Sequence, residues 1–285
     1  MSKVIYTSVP ESFSWRPVAP WSILRDVLRH RSLIATMTSR DFRSAYQASY
    51  LGLTWQFVLP LVMLAIFYLV FGRIFSGRFL NNATETPVDY ALALFVGLGF
   101  FNFLAHNINS STSLITANAT YVKTLSFPLE ILSINAVLGS LINLIISLVL
   151  TVVVFLLAKG QLHGSAICAP FYVLCIFLIA IGLSWGLSAL AVFIRDVAAI
   201  TSPLTLILMF MCPIFYPASM VPKSVRWIID ANPLSVIIED VRASLLYGVW
   251  PGFMSMGAVF VVSLLIAVIG YFFFMRSKSA FADVM

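Results

Sequence analysis

Apolar runs alternate with short polar breaks along almost the whole chain. From about Trp55 to Phe71 the chain reads WQFVLPLVMLAIFYLVF, long and apolar enough for a helix that crosses a bilayer. Similar runs cover Tyr90 to about Ser111, Leu129–Leu157, Pro170–Phe193, Thr201 to about Phe215, and Phe253–Met275. The second is broken up by Gly97, Gly99, Asn102, His106 and Asn107, and the fifth is ended by Pro213 and Pro217. The pattern predicts an all-α polytopic membrane protein with six transmembrane helices, at about 55–72, 90–111, 129–157, 170–193, 201–216 and 253–275.

Two further pieces are helical without being spans. Over Trp21 to about Thr36, Trp21, Leu24, Val27 and Leu28 share one helical face, while Arg25, Asp26, Arg29 and His30 share the other. That predicts a basic amphipathic helix lying on the membrane surface, with Arg31 snorkelling. Between the fifth and sixth spans, residues 218–250 hold two apolar halves divided by Asn232-Pro233. Each half is too short to span, and Lys223, Arg226, Asp230, Glu239, Asp240 and Arg242 exclude a plain lipid-facing helix. A re-entrant helical hairpin or an external helical loop fits this stretch. The predicted organisation is thus a tail over 1–20, an interface segment over 21–54, a membrane domain over 55–278 and a short end over 279–285.

Composition agrees with this picture. Hydrophobic residues make up 61% of the chain and charged ones 10%, where a soluble domain carries about 25% charged. The net charge of +6 is a topology signal, because the basic residues flank apolar spans. Lys3, Arg16, Arg25, Arg29, Arg31, Arg40, Arg43, Lys123, Arg195, Arg276 and Lys278 fall on one side, and Arg73, Arg78, Lys159, Lys223, Arg226 and Arg242 on the other. Both termini and the turns around Tyr121 and Arg195 are therefore expected in the cytosol. The first twenty residues hold Pro10, Pro17 and Pro20 but no apolar core, so no cleaved signal peptide is expected. Cys168, Cys175 and Cys212 sit in apolar runs and are expected as buried thiols, without a disulfide or metal site.

The chemistry missing from the spans narrows the function. His106 is the clear ionisable residue within them, and Glu130 sits at a helix start, where the dipole favours a carboxylate. A proton- or sodium-driven carrier relies on charged groups or broken helices at mid-membrane. No G-x-x-x-x-G-K-[ST] occurs, so the chain cradles no nucleotide phosphate in a P-loop. Glu239 and Asp240 point about 100° apart on a helix and do not converge as an acid/base pair, so a solvated helix face is expected there. Uphill transport would need energy from another polypeptide docking on the cytosolic turns. Aromatic side chains able to stack on sugars are Tyr46, Tyr50, Trp55, Phe100, Phe101, Trp185 and Tyr216. Gly182 and Gly186 form a G-x-x-x-G in the fourth span, a pattern that permits close helix approach.

Several pieces in order then resemble a known family. Ser39-Arg40-Asp41-Phe42 with Tyr46, Leu51-Gly52, Trp55 and Pro60 is similar to the entry to the first span in the membrane subunits of type 2 ABC transporters that export polysaccharides (O-antigen, capsule, teichoic acid). Asn118 through Lys123 to Phe127-Pro128 resembles the family's coupling segment, and Phe193-Ile194-Arg195-Asp196 its charged turn. Pro213-Ile214-Phe215-Tyr216 and Asn232-Pro233-Leu234, with Arg242 after, resemble its fifth-span end and re-entrant segment.

The resemblance implies a homodimer with two separate P-loop ATP-binding subunits, membrane lipid around it, and a lipid-linked glycan as substrate. It implies no catalysis, nucleic acid or cofactor in this chain, with ATP and Mg on the partner subunit. Coupling would fall to Asn118, Tyr121, Val122 and Lys123, with Arg40, Asp41, Arg43, Arg195 and Asp196. The glycan path would use Tyr46, Tyr50, Trp55, Phe100, Phe101 and Tyr216. An external gate would involve Pro213, Asn232, Pro233 and Arg242. Two alternatives are a type 2 ABC exporter of drugs or small lipids, and a stand-alone carrier or glycan-processing enzyme.

Overall fold

The computed structural model describes residues 27–44, 50, 52–74, 85–122 and 127–284. All regular structure among them is helical. Helix α1 is Arg31–Ser44. Helix α2, Trp55–Phe67, continues as a π-helical turn over Tyr68–Ile74. Then come α3 (Pro87–Ala117), the short α4 (Ala119–Val122) and α5 (Glu130–Lys159). Helix α6 (Ala169–Phe193) is entered through a 3-10 turn and is followed by α7 (Val197–Met211). Helices α8 (Lys223–Asp230) and α9 (Pro233–Leu246) form a hairpin, and α10 (Phe253–Ser277) leads to the short α11 (Phe281–Val284).

Five stretches are long and apolar enough to cross a membrane: Trp55–Ile74, Pro87–Ala117, Glu130–Lys159, Gly164–Phe193 and Phe253–Ala280. The fifth expected run takes another form. Helix α7 is apolar, but its 15 residues rise only about 22 Å, less than a bilayer core of roughly 30 Å. It stops at Met211 because Pro213 disfavours helical backbone at the residue before it, and Cys212 is accordingly extended at ψ 145°. The expected surface helix over 21–36 lies partly outside the described residues. The described helix runs past Thr36 to Ser44, and its Ile34 and Met37 are buried in the same core cluster as the α5 side chains. Its spacing is amphipathic, but the face that counts packs on α5.

Helix α3 is the hub. Of its apolar stretch 72% is buried inside the chain, against 11% for α2 and 17% for α5, so the others are arranged around α3. At 31 residues it is about 46 Å long and must project beyond the hydrocarbon core. It starts with a capping box: the Thr86 hydroxyl accepts from the Asp89 amide, and Asp89 Oδ2 accepts from the Thr86 amide at 2.8 Å. Pro87 at its first position fits there because no helical N–H is needed. Helix α5 ends at Gly160, whose φ of 77° is left-handed backbone that glycine adopts without a Cβ penalty.

Close packing of α6 on α10 depends on two missing side chains. A Cβ at Gly182 would lie 2.4 Å from the Ile266 carbonyl, and one at Gly270 would overlap the Gly182 carbonyl. Gly186, the other half of the G-x-x-x-G, has nothing within 4 Å of such a Cβ, so only Gly182 serves the approach. Trp185 fills this seam: its indole N–H donates to the Glu130 carbonyl at 3.1 Å, and its ring meets Tyr271 edge-on. It is a buried anchor, so the expectation of Trp185 as a stacking surface does not fit its position.

Ion pairs tie both ends of the bundle. At the end carrying α4, Lys278 pairs with buried Glu130 at 2.6 Å. At the hairpin end, Lys159 pairs with buried Asp89 at 2.8 Å.

Candidate functional site

Three groups of expected residues can be placed. The first is at the α4 end. Asn118 caps α3, with its amide donating to the Leu114 carbonyl at 2.8 Å. After it comes α4, and Tyr121 stacks on Phe127 with ring centroids 4.5 Å apart. Val122 is half-buried, and the exposed Arg40 of α1 reaches the same turn. Asp41, and next the Tyr121 hydroxyl, hold the Arg40 guanidinium above its ordinary pKa by hydrogen bonding. Arg40 pairs with Asp41 at 3.1 Å, but the pair is solvent-exposed and contributes little by itself. The structure therefore brings Arg40, Asp41 and Tyr121 together.

Asp41 makes a further contact that sequence reasoning missed. Asn135 on α5 donates from its amide to Asp41 Oδ2 at 2.6 Å. The Asn135 oxygen accepts from the Thr38 hydroxyl, also at 2.6 Å. One amide thus reads two residues of α1 a helical turn apart. Arg195 and Asp196 are exposed in the tight turn between α6 and α7, beside the last segment, where Phe193 meets Phe281 at 6.0 Å. Lys123 and Tyr46 lie outside the described residues, and only the backbone of Arg43 is described, within α1.

The second group concerns the path. Between α2, α3 and α5 lies a cleft of about 440 Å³. Leu59, Met63 and Phe67 wall it on one side, and Asn102, His106 and Asn143 give it a polar part. Gln56 on α2 donates to Asn143 at 3.4 Å. Asn102, His106, Asn109, Ser113 and Thr116 fall on one stripe of α3, and all but Asn109 are exposed. Asn109 reaches across to α7, donating to Thr205 at 3.3 Å and accepting from Ser202 at 3.2 Å. Of the aromatic residues expected on a glycan path, Tyr50, Trp55, Phe100, Phe101 and Tyr216 do not line this cleft. Phe100 and Phe101 are buried in the core on the faces of α3 turned from this stripe. Tyr50 is fully exposed, and Trp55 is half-buried at the start of α2. Tyr216 is half-buried and donates to the Phe210 carbonyl at 2.7 Å.

The third group, Pro213, Asn232, Pro233 and Arg242, does come together. Asn232 caps α9, accepting from the Leu234 amide at 3.0 Å, and its own amide donates to Cys212 Sγ at 3.3 Å. Pro233 takes the first helical position. Arg242 is buried and spends its guanidinium on backbone. Nε donates to the Ala93 carbonyl at 2.7 Å, Nη1 to Pro213 at 2.5 Å and Nη2 to Ile214 at 2.8 Å. The bend that ends α7 leaves the Pro213 and Ile214 carbonyls without helical donors, and Arg242 supplies them. Gly97 makes the room, since a Cβ there would lie 2.1 Å from Arg242 Nη2.

The expected solvated face on α9 is not what forms. Glu239 accepts from the Ala218 amide at 3.3 Å, and Asp240 accepts from Tyr172 at 2.8 Å and Ser255 at 3.0 Å. These carboxylates are half-buried because they tie the hairpin to α6 and α10. The two bond to different elements, Glu239 to the turn at Ala218 and Asp240 to α6 and α10. Helix α8, in contrast, is largely exposed, with Ile229 its buried residue.

A polytopic helical membrane protein is thus defined, with a polar stripe along its hub helix, a proline-broken penultimate segment and an α1–α4 surface at one end. Residues 32–246 match the model of the ABC-2 type transporter family, and the chain belongs to that family. It is a membrane transport subunit. It is 26% identical over 260 residues to a Klebsiella pneumoniae protein named O-antigen export system permease protein RfbA, covering 89% of this chain and 95% of the relative. A protein of the same name from Myxococcus xanthus is 24% identical over 228 residues, covering 78% of this chain and 83% of the relative.

Proposed function

We propose that the chain is the channel-forming permease of an ATP-driven exporter that moves a lipid-linked polysaccharide, such as O-antigen or capsule, out across the bacterial cytoplasmic membrane. The observation that carries the substrate class is the match, over most of the chain, to proteins named O-antigen export permeases. The polar stripe of α3, which holds amides, hydroxyls and one imidazole but no carboxylate, ammonium or guanidinium, supports it, because such groups suit a sugar polymer better than an ion.

In this reading two copies form the channel and two P-loop subunits, binding ATP and Mg, dock below. Six spans result when α7 and its bent end count as the fifth, and α8–α9 forms a re-entrant hairpin in the outer leaflet. Exposed Trp227, Trp250 and Phe253 at the hairpin end suit a membrane interface. Both termini and the α4 turn then face the cytosol, and the segment before α1 lies along the inner interface. ATP closure pushes on the α4 turn and on α1, and the tilt of α2 and α7 opens the path. The hairpin gates the outer end: α9 is the fixed arm, held by Arg242 and Asp240, and α8 is the arm free to move. Trp55 and Tyr50 stand at the cytosolic mouth.

Deletion of the gene tests the proposal. Lipid-linked glycan should accumulate inside the cell, and the chain should co-purify with a P-loop ATPase. Normal surface glycan in the deletion strain, or transport by the purified chain alone without ATP, would overturn it. Tyr121→Ala with Lys123→Ala should abolish glycan-stimulated ATPase while leaving the complex assembled. Trp55→Ala with unchanged export would remove Trp55 from the path.

A further inference from the structure

We infer that Asn135 is the positioning residue that passes movement from the α1–α4 surface into the membrane bundle; this rests on the reading of that surface as the docking site of the ATPase. Helix α1 packs on α5 through Ile34 and Met37, whose apolar contact resists separation but does not fix register. Asn135 supplies directional contact. The Asn135 oxygen accepts from Thr38 and its amide donates to Asp41, each at 2.6 Å. Thr38 and Asp41 lie three residues apart, so two bonds to one amide fix both the rotation and the height of α1 on α5. On its other side α1 presents Arg40, which is bonded to Asp41 at 3.1 Å and within reach of the Tyr121 hydroxyl. A push on the α4 turn therefore reaches Arg40, then the Asp41 carboxylate, then Asn135. From Asn135, α5 runs as one unbroken helix to Lys159, along the cleft wall at Asn143.

Asn135 is 7% exposed and sits among apolar neighbours, so its amide is costly there without both partners. Residue 135 belongs to the first turns of α5, outside the more apolar part of that helix. The contact is thus at the height where a bundle and an external subunit would exchange force. Charge contributes little to it, because Asp41 is half exposed and the partner is neutral. What it supplies is geometry: a short, two-point strut.

The test uses the assembled permease–ATPase complex in membranes, with export and glycan-stimulated ATPase measured together. Wild-type export with ATP reads the parent proposal by itself; the ratio of export to ATP hydrolysed among variants reads the strut. Asn135→Leu should keep normal amounts of folded complex and at least half of its ATPase, with export per ATP reduced at least about tenfold, the scale of coupled pairs in contact. Asn135→Asp should be at least as damaging, because two carboxylates then face each other.

Asn135→Asp combined with Asp41→Asn keeps the bond between residues 41 and 135 with amide and carboxylate exchanged, and Thr38 can still donate to residue 135. That double variant should recover export per ATP to within about threefold of wild type. An unrescued double variant would overturn the inference. So would an Asn135→Leu complex whose ATPase, abundance and export fall in equal proportion, which is the signature of a merely structural residue.

Discussion

Arg242 illustrates how a single residue can close an otherwise open fold. The α7 bend exposes carbonyls of Pro213 and Ile214 inside the protein, and its guanidinium meets both along with Ala93. Hydrogen bonds to charged groups contribute about 1.5–3 kcal/mol each when a partner would otherwise be buried unpaired. Arg242→Met should therefore destabilise the detergent-solubilised protein by several kcal/mol, read as a lower thermal midpoint. Lysine should not substitute, because one ammonium cannot reproduce the fork. Gly97→Ala should cause a comparable loss by forcing the guanidinium aside. In an Arg242→Ala background the same glycine change should cost much less, since the clashing atom is gone. Equal costs in both backgrounds would mean that Gly97 serves something other than Arg242. Arg242 was visible in the sequence as a charge on an apolar stretch. Its partners were not, because they are backbone carbonyls at separations of 149, 29 and 28 residues, which no side-chain pattern records.

Among elements, the helices with an uninterrupted apolar period were legible, and those whose ends depend on other helices were less so. The runs at Trp55, Tyr90, Leu129, Pro170 and Phe253 all became long helices because a chain in lipid must bond its own backbone internally. The π-helical turn at Tyr68–Ile74 had no signal in the apolar pattern; its Gly72 lies against the Pro87 backbone, only 2.8 Å from where a Gly72 Cβ would be. The extension of α1 to Ser44 was equally hidden: residues 38–41 read as polar leader until Asn135 gives them a partner. The G-x-x-x-G in α6 was half informative. Gly182→Leu should collapse the α6–α10 seam, because a Cβ already overlaps backbone, and backbone cannot move aside as a side chain can. Gly186→Leu should be tolerated, with open space around its Cβ position. Folded yield on size-exclusion chromatography separates the two; equal yields would remove Gly182 from the seam.

For the whole molecule, the outer surface divides into two kinds of face. Helix α10 offers Val261, Leu265, Ile269 and Phe272, all apolar, as expected of a face against lipid. The side formed by α3 and α7 is mixed. Ile200, Leu204, Ile207 and Met211 recur at three- and four-residue spacing on α7, all exposed, beside exposed Ser202 and the Asn102–Thr116 stripe of α3. Lipid is a poor neighbour for that mixture, because polar groups in hydrocarbon cost free energy without partners. A second copy packing its α7 against this seam would cover the apolar positions and leave the polar stripes to line a shared path. A single cysteine at Leu204, in a chain with Cys168, Cys175 and Cys212 replaced by serine, should then cross-link to its twin in membranes with a short bifunctional maleimide. One at Val261 should not. Cross-linking at Val261 with none at Leu204 would place the copies back to back along α10, and the α3 stripe would lose its role as a channel wall.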